Sequence, residues 1–302
     1  MTLITERSWQ EIIGAIEADE CTPFIGAGAS AARFQVGGQL AANLAKQHEY
    51  PFDDNDDLAS VAQFAAIHRV ATPLLKRQVA GMFCETSPPD FRDQDDPHGV
   101  LADLPLSVYI TTNYDDLMCQ ALKSRSRQPL RAVCPWYTQD SAKLLEARRP
   151  FKQPGRVRPH APIVYHLHGH HEAAESLVLT EDDYIEFLVQ ASKNKNLLPA
   201  AVREALSSRM LLFIGYGLHD WTFRVLFRGL LAVQPSYAQY SHLSVQLPPV
   251  NNGLSDDEQD QVKEYLNDYF SRQKIFVFWG SAKDFAKQLR DRWDARPRGG
   301  PE

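Results

Sequence analysis

Residues 22–30, Thr22-Pro23-Phe24-Ile25-Gly26-Ala27-Gly28-Ala29-Ser30, decide how this chain is read. Phe24 and Ile25 close a short apolar run with the character of a buried strand. Gly26-Ala27-Gly28 predicts a tight turn, and the small residues Ala29 to Ala32 follow as the start of a helix. A strand running through a glycine turn into a helix aims backbone N–H groups and a helix dipole at one point, which suits a phosphate or pyrophosphate. The third glycine of the dinucleotide fingerprint is absent, and Arg33-Phe34 is not a regular helix start. On this stretch alone, a phosphate cradle and a plain small-residue turn both remain open.

Outward from the turn, elements alternate. Trp9, Ile12, Ile13 and Ile16 have helical spacing ahead of the first strand, and Leu40 and Leu44 predict a helix ending near His48. Residues 58–83 read as helix broken at Pro73. Strands are expected at Ser107–Thr111, Arg131–Cys134, Ile163–Leu167, Leu177–Leu179, Met210–Ile214, His242–Gln246 and Lys274–Phe278. Helices are expected over 114–123, 140–147, 181–190, 198–207, 220–233, 256–270 and from 279 to about Trp293. Nearly all-apolar strands separated by helices mean a parallel sheet covered on both faces. The expected fold is therefore α/β, a Rossmann-like doubly wound parallel sheet. It forms one domain over residues 1–295, with a helical insertion at about 51–103 and a disordered tail at 296–302.

Composition narrows the function classes. The 302 residues are 44% hydrophobic and 23% charged, with a net charge of −6, which argues against nucleic acid as a direct partner. Arg148, Arg149, Lys152, Arg156 and Arg158 form a local basic run that reads as a solvated loop. The four cysteines, Cys21, Cys84, Cys119 and Cys134, include no C-x-x-C pair, so neither a cysteine zinc ribbon nor a disulfide framework is expected. No apolar run approaches a membrane span and no signal-peptide layout opens the chain, so a cytoplasmic location without membrane association is expected.

In a doubly wound sheet, ligands sit beyond the carboxyl ends of the strands. Polar or small residues that apolar packing does not require fall at those ends. They are Gly26 to Ser30, then Thr111-Thr112-Asn113-Tyr114-Asp115, then His168-Gly169, and finally Gly215-Tyr216-Gly217 with Asp220 opening the next helix. A helix cap accounts for Asp115 or Asp220 singly; four clusters at one sheet edge are harder to assign to capping. His166, His168, His170 and His171 crowd together, and on a strand His166 and His168 share one face. Without obvious neighbouring acids to complete a ligand set, no metal is expected.

The ordered set GAGAS, TTNYDDL, HLHG and GYGLHD resembles the SIR2 superfamily, in particular the SIR2-like branch of bacterial anti-phage defence proteins. The resemblance spans residues 22 to about 220 and implies binding of NAD+ as substrate, with cleavage of its nicotinamide–ribose bond. It matches Asn113 to the family's ribose-holding asparagine and His168 to its catalytic histidine. Gly215, Tyr216 and Asp220 match the glycine motif on the adenosine side. The paired C-x-x-C zinc module of sirtuin deacylases is missing, and Ala31-Ala32-Arg33-Phe34 replaces their proline-containing loop. Water is then the expected acceptor, giving nicotinamide and ADP-ribose.

Glycosidic cleavage of NAD+ develops positive charge at the ribose, so the site must fix the sugar and admit a nucleophile. The catalytic candidates are Asn113, for ribose hydroxyls or water; His168, as general base; and Asp115, orienting Asn113 or stabilising positive charge, or else only capping a helix. Candidate dinucleotide-binding residues are Gly26, Ala27, Gly28, Ser30, Arg33, Thr112, Gly169, Gly215, Tyr216 and Asp220. Within the resemblance, an effector that depletes NAD+ in antiviral abortive infection must be held inactive. That implies a homo-oligomer or a separate activating or sensor subunit, with the 51–103 and 124–162 stretches as contact surfaces. A non-catalytic NAD- or ADP-ribose-binding subunit and a protein deacylase or ADP-ribosyltransferase remain alternatives.

Overall fold

Runs such as Cys21–Ile25 and Met210–Ile214 are buried at every position, so they occupy the middle of a sheet that has no water-facing side. The computed structural model describes residues 4–84, 87, 89–140, 142, 144, 151, 157–194, 197–217, 241–248, 255–272 and 274–296. Seven strands form one sheet: β1 (Cys21–Ile25), β2 (Val108–Thr111), β3 (Leu130–Val133), β4 (Ile163–His166), β5 (Met210–Ile214), β6 (His242–Gln246) and β7 (Ile275–Trp279). Their order is β3-β4-β2-β1-β5-β6-β7 and every pairing is parallel. Phe24 on β1 lies opposite Ile110 on one side and Phe213 on the other. The chain winds from β1 outward to β3 and then returns to the far side of β1, so its connections diverge there. This switch point opens a crevice at the carboxyl edge.

Helices α1 (Glu6–Glu17), α2 (Gly37–His48), α3 (Leu58–His68), α4 (Thr72–Gly81) and α5 (Pro97–Asp103) come before or between the first two strands. Helix α6 (Leu117–Ser124) follows β2, and α7 (Glu181–Lys193) and α8 (Ala200–Ser208) precede β5. Helices α9 (Asp256–Ser271) and α10 (Ala282–Ala295) flank β7. Successive strand residues enter opposite cores, as pleating requires. Tyr109, Val164, Leu212 and Val245 join Trp9, Leu101, Leu122 and Phe285 on one face. Ile110, Tyr165, Phe213 and Val277 join Phe187, Leu206 and Phe270 on the other. Helices α2, α3 and α4 gather around a third core containing Leu44, Val61, Leu75 and Val79. A buried ion pair ties that layer to the start of the helix over Glu181–Lys193, with Lys76 Nζ 2.7 Å from Asp183 Oδ1. Helix α5 differs from its neighbours in the expected insertion: Val100, Leu101 and Ala102 pack into the first core, so this part of the stretch covers the sheet itself.

Three local expectations are corrected. The residues after the glycine turn form a short 3-10 turn, Ala27–Ser30, and the next α-helix begins only at Gly37. Leu177–Leu179 is buried but is not a strand. Its Val178 N–H donates to the His168 carbonyl and its Val178 carbonyl accepts the Tyr114 hydroxyl, bonds that stand in for a sheet ladder. Helix α6 starts at Leu117, later than the apolar pattern suggests, because Asp115 and Asp116 form its entrance. The helix expected at 220–233, most of that at 140–147 and the terminal residues 297–302 lie outside the described residues.

Candidate functional site

The carboxyl ends of β1, β2, β4, β5, β6 and β7 surround a cleft of about 1220 Å³. Its wall includes Gly28 and Ser30 after β1, Asn113 and Asp115 after β2, His168 after β4, and Gly215 and Tyr216 after β5. Ala27, Arg33 and Thr112 also line it. Of the sequence candidates, Gly26 and Gly169 are not on the wall, and Asp220 lies outside the described residues.

The glycine turn is built against the end of β5. Gly26 N–H donates to the Ile214 carbonyl at 2.8 Å and Gly28 N–H to the Gly215 carbonyl at 2.9 Å. A Cβ on Gly28 would stand 2.9 Å from Gly215 Cα, and one on Gly215 would stand 2.3 Å from the Ala29 nitrogen. Gly215 also has φ of +86°, a conformation side chains disfavour. These two amides are therefore spent on holding two strand ends together, and the closeness of the backbones is what requires glycine. Gly169 serves a different purpose. Its φ is +97° and a Cβ would meet the Ser176 carbonyl at 2.3 Å, so it shapes the turn after His168 away from the cleft.

Ser30 joins the turn to the loop after β2. Its hydroxyl donates to Asp115 Oδ2 at 3.0 Å and accepts from Asn113 Nδ2 at 3.0 Å. Asn113 Nδ2 donates its other hydrogen to the Gly26 carbonyl at 3.1 Å. The Asn113 N–H donates to Thr111 Oγ1 at 3.0 Å, which fixes the loop backbone as well as the side chain. With both amide hydrogens engaged, Oδ1 is the atom Asn113 has left for a ligand. Asp115 Oδ1 accepts the Leu117 N–H at 2.9 Å. One Asp115 oxygen therefore opens α6 and the other reaches Asn113 through Ser30. All three side chains are buried, and a buried carboxylate with both oxygens bonded is a rigid anchor.

His168 lines the same cleft from the end of β4. Its ring meets the edges of Tyr184 at 5.3 Å and Phe187 at 5.2 Å between centroids, and its Nε2 has no hydrogen-bond partner among the described residues. Burial alone pushes its pKa down to about 3, so the imidazole is neutral. His166, expected to share a face with it, does not: β4 ends at His166, and the alternation of a strand stops there. His166 sits 3.2 Å from the Asn113 carbonyl through Nδ1, while His168 packs on α7. His171 is turned away toward Cys84, with Nδ1 3.4 Å from Sγ.

Tyr216 Oη donates to the Ile25 carbonyl at 3.0 Å and lies 2.8 Å from Thr112 Oγ1, bracing the β1, β2 and β5 ends against one another. Arg33 reaches across to the Ser87 carbonyl. Sequence reasoning missed several wall residues: His98 on α5, Tyr184 on α7, Gln246 at the end of β6 and Trp279 at the end of β7. Gln246 and Trp279 carry the same signal as the other motifs, a polar or amphipathic residue closing an apolar strand. Nothing local marks His98 and Tyr184, whose helices reach the cleft only through tertiary packing.

The described residues contain no helix long and apolar enough to cross a membrane. Curated relatives align over most of this chain. The NAD(+) hydrolase ThsA of Cytobacillus dafuensis is 29% identical over 212 residues, which is 70% of this chain and 38% of that protein. The NAD(+) hydrolases ThsA of Acinetobacter baumannii (strain 532279) and Bacillus cereus (strain MSX-D12) are 25% and 23% identical, over 69% and 73% of this chain. The chain spans about two fifths of the length of these relatives. A family model for the SIR2-like domain matches residues 107–273, from the strand that leads into Asn113 to the turn before β7. With more than half of its length matched, the chain belongs to the SIR2-like domain family.

Proposed function

We propose that this chain is an NAD+ glycohydrolase that cleaves the nicotinamide–ribose bond and releases nicotinamide and ADP-ribose. The observation that carries the reading is that Asn113 and His168 line one cleft from the ends of the neighbouring strands β2 and β4, with Asn113 locked by Ser30 and the Gly26 carbonyl. The name of the relatives, NAD(+) hydrolase, supports the same chemistry. The cleft, at about 1220 Å³, exceeds the roughly 300–1,000 Å³ typical of small-ligand pockets and has room for a dinucleotide.

In this reading Asn113 Oδ1 accepts a hydrogen bond from a ribose hydroxyl or from the attacking water. Nicotinamide leaves as a neutral base while the ribose gains oxocarbenium character, and preorganised dipoles around it lower the barrier. The neutral His168 accepts a proton from a ribose hydroxyl or from water. Asp115 sets the position of Asn113 through Ser30. The glycine turn with Arg33 lies at the pyrophosphate, and Tyr216 with Gly215 lies toward the adenosine. No step needs a metal.

The likeness of the motif set to the anti-phage branch of the superfamily supports a role as an NAD+-depleting effector of antiviral abortive infection. It also supports control by self-association or by a separate sensor subunit. The test is nicotinamide release from NAD+ by the purified protein, alone and with its genomic neighbours. Wild type should turn over, and Asn113→Ala and His168→Ala should not. Release that both variants retain would refute the reading.

A further inference from the structure

We propose that Asp116, Cys119 and His166 form a site for a divalent transition metal of the zinc type beneath the Asn113 loop. Ligand atoms of these three residues lie within 4.8 Å of one another. They come from the start of α6, its first turn and the end of β4, so the cluster forms only in the fold. A span of at most 4.8 Å exceeds the edge of a tetrahedral zinc site with bonds of about 2.0–2.3 Å by no more than about 1.5 Å, a gap that side-chain rotation closes.

The independent observation is the state of His166. Its side chain is 1% exposed. Nδ1 faces the Asn113 carbonyl at 3.2 Å, which makes Nδ1 the protonated nitrogen and directs the Nε2 lone pair the other way. That Nε2 is buried and has no hydrogen-bond partner among the described residues. A ring that donates one N–H to a backbone carbonyl and keeps its other nitrogen unpartnered, in a cluster with a carboxylate and a thiol, has the arrangement of a metal ligand held by its outer shell. Thiolate, imidazole and carboxylate together favour zinc, cobalt(II) or iron(II) over calcium or magnesium.

Asp116 is held by two cations, with Oδ1 3.4 Å from Arg131 and Oδ2 3.9 Å from Lys123, and Arg131 is also bonded to Glu172. Binding forms a metal–sulfur bond and sends the thiol proton to the buffer. His170, 3.6 Å from Asp116 Oδ1, steadies the carboxylate from outside. The bound ion would fix His166 and, through it, the backbone carbonyl of Asn113.

The site is tested on the full chain, stripped with a chelator and titrated with zinc or cobalt(II) in the absence of NAD+. One equivalent should bind, and cobalt should give a thiolate-to-metal charge-transfer band. Cys119→Ser should abolish the band and weaken binding by at least about 10-fold, as should Asp116→Asn, which keeps the thiol. Cys84→Ser should leave both unchanged. Substoichiometric uptake by folded wild type, or a band that survives Cys119→Ser or disappears in Cys84→Ser, would overturn the proposal. Because no substrate is present, the outcome is independent of the glycohydrolase reading.

Discussion

Ser30 Oγ donates to Asp115 Oδ2 across 3.0 Å, joining residues that lie 85 positions apart. This bond connects the end of β1 to the end of β2 on the side where the cleft opens. The same hydroxyl receives Asn113, so one small side chain holds the geometry of two others.

Ser30→Ala removes that centre. Asp115 and Asn113 each lose a buried partner, and the protein should lose about 1–3 kcal/mol of stability. Nicotinamide release should fall further than stability does, with kcat reduced more than KM is raised, because the amide of Asn113 is no longer held. Ser30→Thr, which keeps the hydroxyl, should recover part of kcat. Equal rates for wild type and Ser30→Ala at a temperature where both are folded would remove Ser30 from the catalytic geometry.

His168→Asn keeps a polar side chain of moderate size beside Tyr184 and Phe187. If the imidazole takes up a proton during cleavage, kcat should drop by about 10²–10⁴-fold while the circular dichroism spectrum is retained. A drop of less than about 3-fold would be too small for such a role.

Gly215→Ala places a methyl group 2.3 Å from the Ala29 nitrogen at φ +86°. Strain and displacement of the glycine turn together should cost more than about 2 kcal/mol in urea denaturation. Gly217, where an added Cβ would meet nothing within 4 Å among the described residues, provides the contrast. Gly217→Ala should change stability by under about 0.5 kcal/mol. Equal effects from the two substitutions would mean that the turn is not built on backbone contact.

Lys76 and Asp183 anchor the α2–α4 layer to the start of α7. Lys76→Met leaves the buried Asp183 charge without its cation, although the carboxylate still accepts the Leu179 and Thr180 N–H groups. The expected cost is about 3 kcal/mol, with a smaller penalty for the pair Lys76→Met and Asp183→Asn than for the sum of the single changes. Strict additivity in thermal melts would show that the pair does not couple.

Sequence alone determined the sheet. Cys21–Ile25, Val108–Thr111, Ile163–His166 and Met210–Ile214 are apolar enough on both faces that only the interior of a covered parallel sheet accommodates them. The candidate site residues were legible for a related reason: Asn113, Asp115 and His168 are polar where apolar runs stop, and parallel strands bring those stops to one edge. Tertiary structure decided everything that depends on distance between segments. Leu177–Leu179 has the composition of a strand, but its backbone groups are taken by His168 and Tyr114 before any strand reaches it. His166 and His168 part company because the pleat ends between them. The bonds from Ser30 to Asn113 and Asp115 unite positions 83 and 85 residues apart, and the Asp116–Cys119–His166 cluster joins α6 to the end of β4. Local periodicity reports which face a residue buries, and the partner it meets there is set by how the strands are ordered.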